Sequence, residues 1–428
     1  MECQSVAALN IELINTGTEL MLGFVTNTNQ RWLCRELSRL GLIVTRQVSI
    51  ADQALLIQRA VAESMERAEL VITTGGLGPT SDDLTRSCIA ELFGRPLRED
   101  PGVLDRIEQF FRARKRAMPP STRVQALVPE GATVLPNNNG TAPGLALETE
   151  NHGQKRLLIM LPGPPRELEP MFANAVKPWL QERLPRSLPF VCRILKSTGV
   201  GESVVEATIA GPLQPLVSTG LEIGYCARFG EVDIRFTAQG EGAANLVEQA
   251  VQVTLSLIGK HVFGTDDDQL DTVLIRLLTI SNRTLAVAES CTGGYLANRL
   301  TNVPGASAAF QGGCITYSNQ AKQDLLGVRA ETLAQHGAVS EPTAREMAEG
   351  ARKRLGADYA LAITGIAGPT GGTAEKPLGT VYIALASQEP TVVLHQINRY
   401  DRESFKFVTS QQALEMLRRR LADTRKQP

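Results

Sequence analysis

Short apolar blocks alternate with amphipathic stretches along much of the chain. Residues 11–15 (IELIN) have the length and composition of a buried strand. A hydroxyl-rich turn follows, Thr16-Gly17-Thr18-Glu19. Trp32, Leu33, Leu37 and Leu40 then recur at helical spacing, with Asn27 or Asn29 as a cap and Gly41 as the stop. Residues 42–50 predict a second strand, 54–68 a second helix and 70–74 a third strand. This alternation implies a parallel sheet with helices on both faces. Ligands of such sheets gather beyond the carboxyl ends of the strands.

The texture changes after about residue 183. Residues 191–198 and 231–238 alternate as strands. Gly199-Val200-Gly201-Glu202 opens a helix, and 243–257 predicts another. The reading is a small α+β module, closed by an acidic linker at Gly264-Thr265-Asp266-Asp267-Asp268. Beyond it, strands are expected at 284–288, 312–317 and 359–363. A helix is expected at 295–300, and a last one is introduced by Arg399 and Arg402. The domains expected are 8–182, 183–265 and 268–425, α/β in class. With 428 residues, about three domains also follow from a typical size of roughly 150 residues.

Composition narrows the function classes. Lys+Arg 44 against Asp+Glu 45 leaves a net charge of −1, which argues against retention on DNA by overall charge. Aromatic residues are 5%, too few for a base-stacking platform. No apolar run is long enough for a transmembrane helix, so no membrane is expected. The segment MECQSVAALN has no basic region followed by a long apolar one and is not expected to be a signal peptide. Seven cysteines, at 3, 34, 88, 192, 226, 291 and 314, form no CxxC pair. They read as small buried hydrophobes in a reducing cytoplasm. Four dispersed histidines make no metal centre.

Candidate chemistry lies where strands end. The third strand runs into residues 75–85, GGLGPTSDDLT. Gly75, Gly76 and Gly78 let a backbone approach a ligand and turn N–H groups toward an anion. Thr80 or Ser81 can cap a helix from about Asp83. Asp82 and Asp83 repel a bare phosphate, but suit a divalent cation bridging carboxylate and phosphate; they also suit simple helix capping. Two further loops, Asn137 to Gly144 with Gly140 and Pro162 to Leu168 with Gly163, are expected to line the same cleft.

In the last section, a strand stops at Glu289-Ser290-Cys291-Thr292-Gly293-Gly294. A serine at a strand-to-helix turn suits a nucleophile beside an oxyanion hole, and equally a helix cap. No histidine stands in a comparable motif. Lys322, shortly after Tyr317, falls near a helix start, where burial and the helix dipole disfavour an ammonium; a solvated surface lysine is the alternative. The glycine loop 364–372, with Thr364 and Gly365, is fit to cover a polar ligand. Arg399 and Arg402 can clamp a phosphate or stand as exposed cations.

The motifs TGTELMLG (16–23), GGLGPTSDDLT (75–85), GTAPG (140–144) and LPGPPREL (161–168) resemble the CinA family of competence/damage-inducible proteins. AESCTGG (288–294), GGCITYSNQAK (312–322), GAVSEP (337–342), ITGIAGPTGG (363–372) and KPLGTVYIA (376–384) resemble its C-terminal, PncC-type domain. The resemblance implies a molybdopterin-binding-like first domain, a KH-like module and an α/β amidohydrolase. It implies deamidation of nicotinamide mononucleotide without metal or cofactor. Ser290 is then the nucleophile and Lys322 the base, with Tyr317 assisting. Thr292, Gly293, Gly294, Thr364, Gly365, Arg399 and Arg402 surround the substrate, and backbone N–H groups near Thr292, Gly293 or Gly365 hold the oxyanion.

For the first domain the resemblance implies ADP-ribose pyrophosphatase activity. Thr16, Glu19, Asn27, Gly75, Gly76, Gly78, Thr80, Gly140 and Gly163 would hold the nucleotide. Asp52, Asp82 and Asp83 would hold a divalent metal (Mg, Mn or Co), with potassium. The family often has Asn-x-Lys-Gln-Ala where this chain has Thr122-Arg123-Val124-Gln125-Ala126, so Arg123 is the cation available to replace the lysine. A KH-like module implies nucleic acid, but no GXXG loop flanked by basic residues is present, so a spacer or dimerisation role is expected. The partners expected are the two nucleotides and a second copy of the chain, as a homodimer. A non-catalytic, nucleotide-binding accessory protein of competence or DNA damage is the alternative.

Overall fold

The computed structural model describes residues 9–184 and 188–424; the expected domain limits at 8 and 425, the signal-peptide reading and Cys3 involve residues outside these. The chain forms two compact units. One runs to Val191 and includes Gln239–Glu241; the other holds Cys192–Ala238 and everything from Gly242.

The first unit carries a six-stranded sheet in the order Val44–Ile50, Ile11–Thr16, Leu70–Thr74, Gln154–Leu161, Gly144–Asn151, Thr133–Leu135. The first four strands are parallel, as the alternation predicts. The last two run antiparallel, so the sheet is mixed. The cause is local. Asn151 pairs with Gln154 across a two-residue turn in which His152 (φ 50°) and Gly153 (φ 74°) both take left-handed backbone, the geometry of a tight hairpin. The central strands Ile11–Thr16 and Leu70–Thr74 are buried throughout, because helices cover both faces. On one face Leu33 and Leu37 of the helix Thr28–Arg39 join Phe172 and Trp179. On the other, Ile57 and Val61 of Ala54–Arg67 join Ile89 and Ile107. Each fully buried aliphatic side chain contributes about 1.5–3 kcal/mol.

The second unit holds two sheets. The four-stranded sheet has the order Glu222–Arg228, Glu231–Gln239, Phe190–Thr198, Val262–Thr265, and is accompanied by the helices Glu202–Val217 and Ala243–Ile258. Gly264 and Thr265, expected in a linker, instead end an edge strand. The backbone continues that attachment: Asp266 N–H donates to Ile194 O at 2.8 Å. The middle module and the C-terminal domain fall in one compact unit. Gln411 Nε2 reaches the buried Glu231 carboxylate at 2.6 Å, and Arg418 reaches Lys260 O at 2.7 Å.

The five-stranded sheet has the order Phe310–Ile315, Leu285–Glu289, Tyr359–Gly365, Thr380–Ala386, Val392–Ile397. The first three strands are parallel and the last two antiparallel. Its second strand, LAVAE, is interior to the sheet and buried on both sides. Leu285 and Val287 enter one core; Ala286 and Ala288 face Ala344, Met347 and Ala348 of the helix Glu341–Leu355. No helix among the described residues is long and apolar enough to cross a membrane.

Candidate functional site

The strand Leu285–Glu289 delivers Ser290 to a turn before the helix Tyr295–Thr301. Ser290 N–H donates to Ile363 O at 3.0 Å, which fixes the serine between two parallel strands. Glu289, 1% exposed, holds the turn from behind. Its carboxylate accepts from the N–H groups of Gly294 (3.1 Å), Leu296 (3.0 Å) and Ala297 (2.7 Å). A carboxylate therefore caps this helix from upstream, and Ser290 does not. Sequence reasoning missed Glu289; its place just before the serine, at a strand end, was the available signal.

Lys322 lies on the helix Asn319–Leu326, whose cap is Ser318 Oγ accepting from Ala321 N–H at 3.1 Å. The lysine is not a surface residue: its exposure is 0%. Its Nζ lies 3.0 Å from Ser290 Oγ and donates to Thr316 O at 2.7 Å. Burial holds its ammonium below the ordinary lysine value, against a smaller opposing influence from Cys291. The neighbouring thiol is inert by comparison, because burial pushes Cys291 up to about 12. The arrangement can therefore take a proton from a hydroxyl that sits at the mouth of a turn.

The remaining residues expected here divide into two groups. Gly293 N–H donates to Ser290 O at 3.1 Å, and Gly294 N–H is held by Glu289, so neither is available as an oxyanion donor. Thr364 Oγ1 donates to Ala338 O at 2.7 Å and is structural in this arrangement. Gly365 ends its strand, where a Cβ would lie 2.7 Å from Thr380 O. Thr292 is fully buried, and its hydroxyl has no protein partner among the described residues. By contrast, Arg399 and Arg402 line a cavity of about 620 Å³ with Gly368, Leu378, Tyr400 and Asp401. Arg402 donates to Gly368 O at 2.8 Å and to Tyr317 Oη at 3.2 Å. Tyr317, 64% exposed, therefore has its hydroxyl on the arginine. Arg402 links the cavity to the loop that leads into the helix of Lys322.

The first unit has its own cavity of about 370 Å³ at the carboxyl ends of its parallel strands. Thr16, Glu19, Asp52, Gly75, Gly76, Gly78, Asp82, Asp83 and Gly163 line it. Gly76 has φ +67°, and a Cβ there would collide with Thr85 Oγ1, so the turn requires glycine. Asn27 instead caps the helix Thr28–Arg39, accepting from Gln30 N–H. Gly140 lies behind the cavity against Glu167, which lines it and was missed, as was Gln125.

Two expectations for this cavity need correction. The helix begins at Thr85, not Asp83, and neither Thr80 nor Ser81 caps it. Instead Thr80 N–H and Oγ1 donate to Asp83 Oδ2, closing a turn. Arg123 does not replace the lysine: it pairs with Glu99 at 2.6 and 2.7 Å, outside the lining. Among the described residues no three His, Cys, Asp or Glu are grouped to hold an ion by themselves. Asp52 accepts from Thr18 N–H at 2.7 Å, and the hydrogen bond with Thr80 holds Asp82 below the ordinary carboxylate value. Asp52 and Asp83 thereby tie loops together at the cavity.

Comparison with known proteins covers almost the whole chain. The probable molybdopterin binding domain matches residues 12–182, the damage-inducible protein CinA KH domain 192–264, and the CinA C-terminal domain 267–421. A putative competence-damage inducible protein of Moorella thermoacetica is 43% identical over 96% of this chain and 99% of its own length. A CinA-like protein of Gemmatimonas aurantiaca is 42% identical over 97% of each. Among solved structures, a competence-damaged protein (CinA) superfamily protein from Klebsiella pneumoniae is 39% identical, covering 36% of this chain and 96% of that one, with a TM-score of 0.35.

Proposed function

The chain belongs to the CinA family, and on that premise we propose that its C-terminal domain is an amidohydrolase that converts nicotinamide mononucleotide to nicotinic acid mononucleotide and ammonia. The observation that carries this reading is the 3.0 Å approach of Lys322 Nζ to Ser290 Oγ, both buried at a strand-to-helix turn.

Neutral Lys322 takes the proton of Ser290 as Oγ attacks the carboxamide carbon. The carbonyl electrons move to oxygen, forming a tetrahedral intermediate. That intermediate collapses, the C–N bond breaks, and the lysinium returns its proton to the departing nitrogen, releasing ammonia. A water then attacks the acyl-serine ester, giving up a proton to Lys322, and the acid leaves as Ser290 regains its hydrogen. Arg399 and Arg402 suit the nucleotide phosphate, since guanidinium groups bind planar oxyanions in paired contacts. Serine and lysine supply nucleophile and base, so the step calls on no metal. Ammonia release from nicotinamide mononucleotide, with the Ser290→Ala variant as control, tests the proposal.

For the first unit we propose nucleotide binding, favoured by five glycines lining a cavity at the strand ends. Cleavage of ADP-ribose with a divalent metal is the sharper form of that reading. In that form Asp52, Asp82 and Asp83, which line the cavity, would hold the metal together with the substrate's phosphate oxygens. Protection of the first unit by ADP-ribose in a thermal shift, with and without Mg, Mn or Co, tests both forms. A solely nucleotide-binding accessory role for the whole chain would leave the Ser290–Lys322 pair without a task.

A further inference from the structure

The middle module places an aromatic side chain against Tyr400, a residue that lines the cavity of Arg399 and Arg402. Its strands Glu222–Arg228 and Glu231–Gln239 pair Arg228 with Glu231, leaving Phe229 and Gly230 as a two-residue turn. Gly230, at φ +71°, permits the reversal. Phe229 is 54% exposed, so burial in its own module does not explain it. Its ring meets Tyr400 edge-on, at 5.6 Å between centroids and 79° between planes. Tyr400 lines the cavity between Arg399 and Arg402.

The turn is held where it is by polar contacts on its flank. Thr198 Oγ1 donates to Gly230 O at 2.7 Å. The buried carboxylate of Glu231 accepts from Gln411 Nε2 at 2.6 Å, and Gln411 Oε1 accepts from Arg299 Nη2 at 2.8 Å. Gln411 lies on the helix Arg402–Thr424 that begins with the cavity's own arginine. The segment bearing Tyr400 is anchored on either side of the ring. Asn398 Nδ2 donates to Thr409 Oγ1 and Gln412 Oε1, and Asp401 accepts from Ser404 N–H. What remains for Phe229 to fix is the orientation of the Tyr400 ring itself.

We propose that Phe229, at the turn of the KH-like module, is a positioning residue of the amidase pocket and acts through Tyr400. The module is then part of the substrate pocket's frame rather than a spacer. The inference rests on the proposed amidase reading for its kinetic consequence, but the Phe229–Tyr400 contact stands independently of it.

The test uses the full chain. Phe229→Ala is expected to raise KM for nicotinamide mononucleotide about two- to tenfold, the range for losing one aromatic pair, with kcat unchanged. Phe229→Tyr keeps the ring and restores the wild-type KM. In a Tyr400→Ala background, Phe229→Ala adds nothing further. Phe229→Leu, which keeps apolar bulk, reports the same loss if the alanine variant folds poorly. An unchanged KM in Phe229→Ala, or an effect that adds in full to Tyr400→Ala, overturns the proposal. Amide exchange over 398–402 separates it from the amidase reading. If wild-type protein releases no ammonia, that reading fails, while faster exchange there in Phe229→Ala still supports positioning and equal exchange overturns it.

Discussion

Lys322 Nζ stands 3.0 Å from Ser290 Oγ although the two residues are 32 positions apart in sequence and reach the site on different elements. Serine arrives from an interior strand, lysine from the first turns of a short helix. In the proposed mechanism neither residue acts alone; the pair does. Ser290→Ala should abolish ammonia release and leave the melting temperature near that of wild type, since Glu289 and not Ser290 caps the following helix. Calorimetry beside an ammonia assay checks both parts.

The pH dependence follows from the sign of the lysine's shift. Burial lowers the pKa of Lys322, so its neutral, basic form is reached at lower pH than for a solvated lysine. kcat/KM should therefore rise with pH through that lowered value and fall away below it, as Lys322 becomes protonated. Lys322→Met should lose turnover by orders of magnitude, and any residual rate should lack that limb. A pH–rate profile of both proteins reads this directly; an unchanged profile in the variant would reject Lys322 as the base.

Glu289 is expected to matter for stability and chemistry together. Glu289→Ala strands three N–H groups at a helix start, one of them buried and two half-buried, a loss of about 1–3 kcal/mol. The serine turn loosens with them, so turnover should fall as well. Denaturant unfolding and steady-state kinetics on the one variant give both numbers.

Arg402 is expected to act on binding. Arg402→Ala removes a charged partner for phosphate and frees Tyr317 Oη, so KM should rise about 10- to 100-fold with a smaller change in kcat. Tyr317→Phe should have a weaker effect, because its hydroxyl meets Arg402 rather than Lys322. Parallel kinetics on nicotinamide mononucleotide distinguish the two.

In the first unit, Gly76→Ala combines a left-handed φ with a Cβ clash at Thr85 and should destabilise by more than about 1 kcal/mol. The loss should appear in the unfolding of the variant, along with weaker protection by ADP-ribose.

Much of this was readable along the chain, and what was not has a physical reason. The strand Leu70–Thr74 and the serine turn follow from apolar blocks ending in glycine. The antiparallel hairpin at His152-Gly153 was hidden, because a turn built from two positive-φ residues leaves little trace in hydrophobic patterning. The role of Glu289 was hidden because a buried carboxylate in an apolar run shows its purpose only when the helix folds back over it. The threonine N–H groups that Asp52 and Asp83 accept from were hidden, since sequence shows charge and not hydrogen bonds. The joining of the middle module to the last domain rests on contacts such as Glu231–Gln411, 180 residues apart.

The measurement that tests the central claim most directly is ammonia release from nicotinamide mononucleotide in the presence of EDTA, by wild-type protein and by Ser290→Ala. The account predicts steady release by the wild type, insensitive to the chelator, and none by the variant. Release by Ser290→Ala at the wild-type rate, or no release by the wild type, would contradict it.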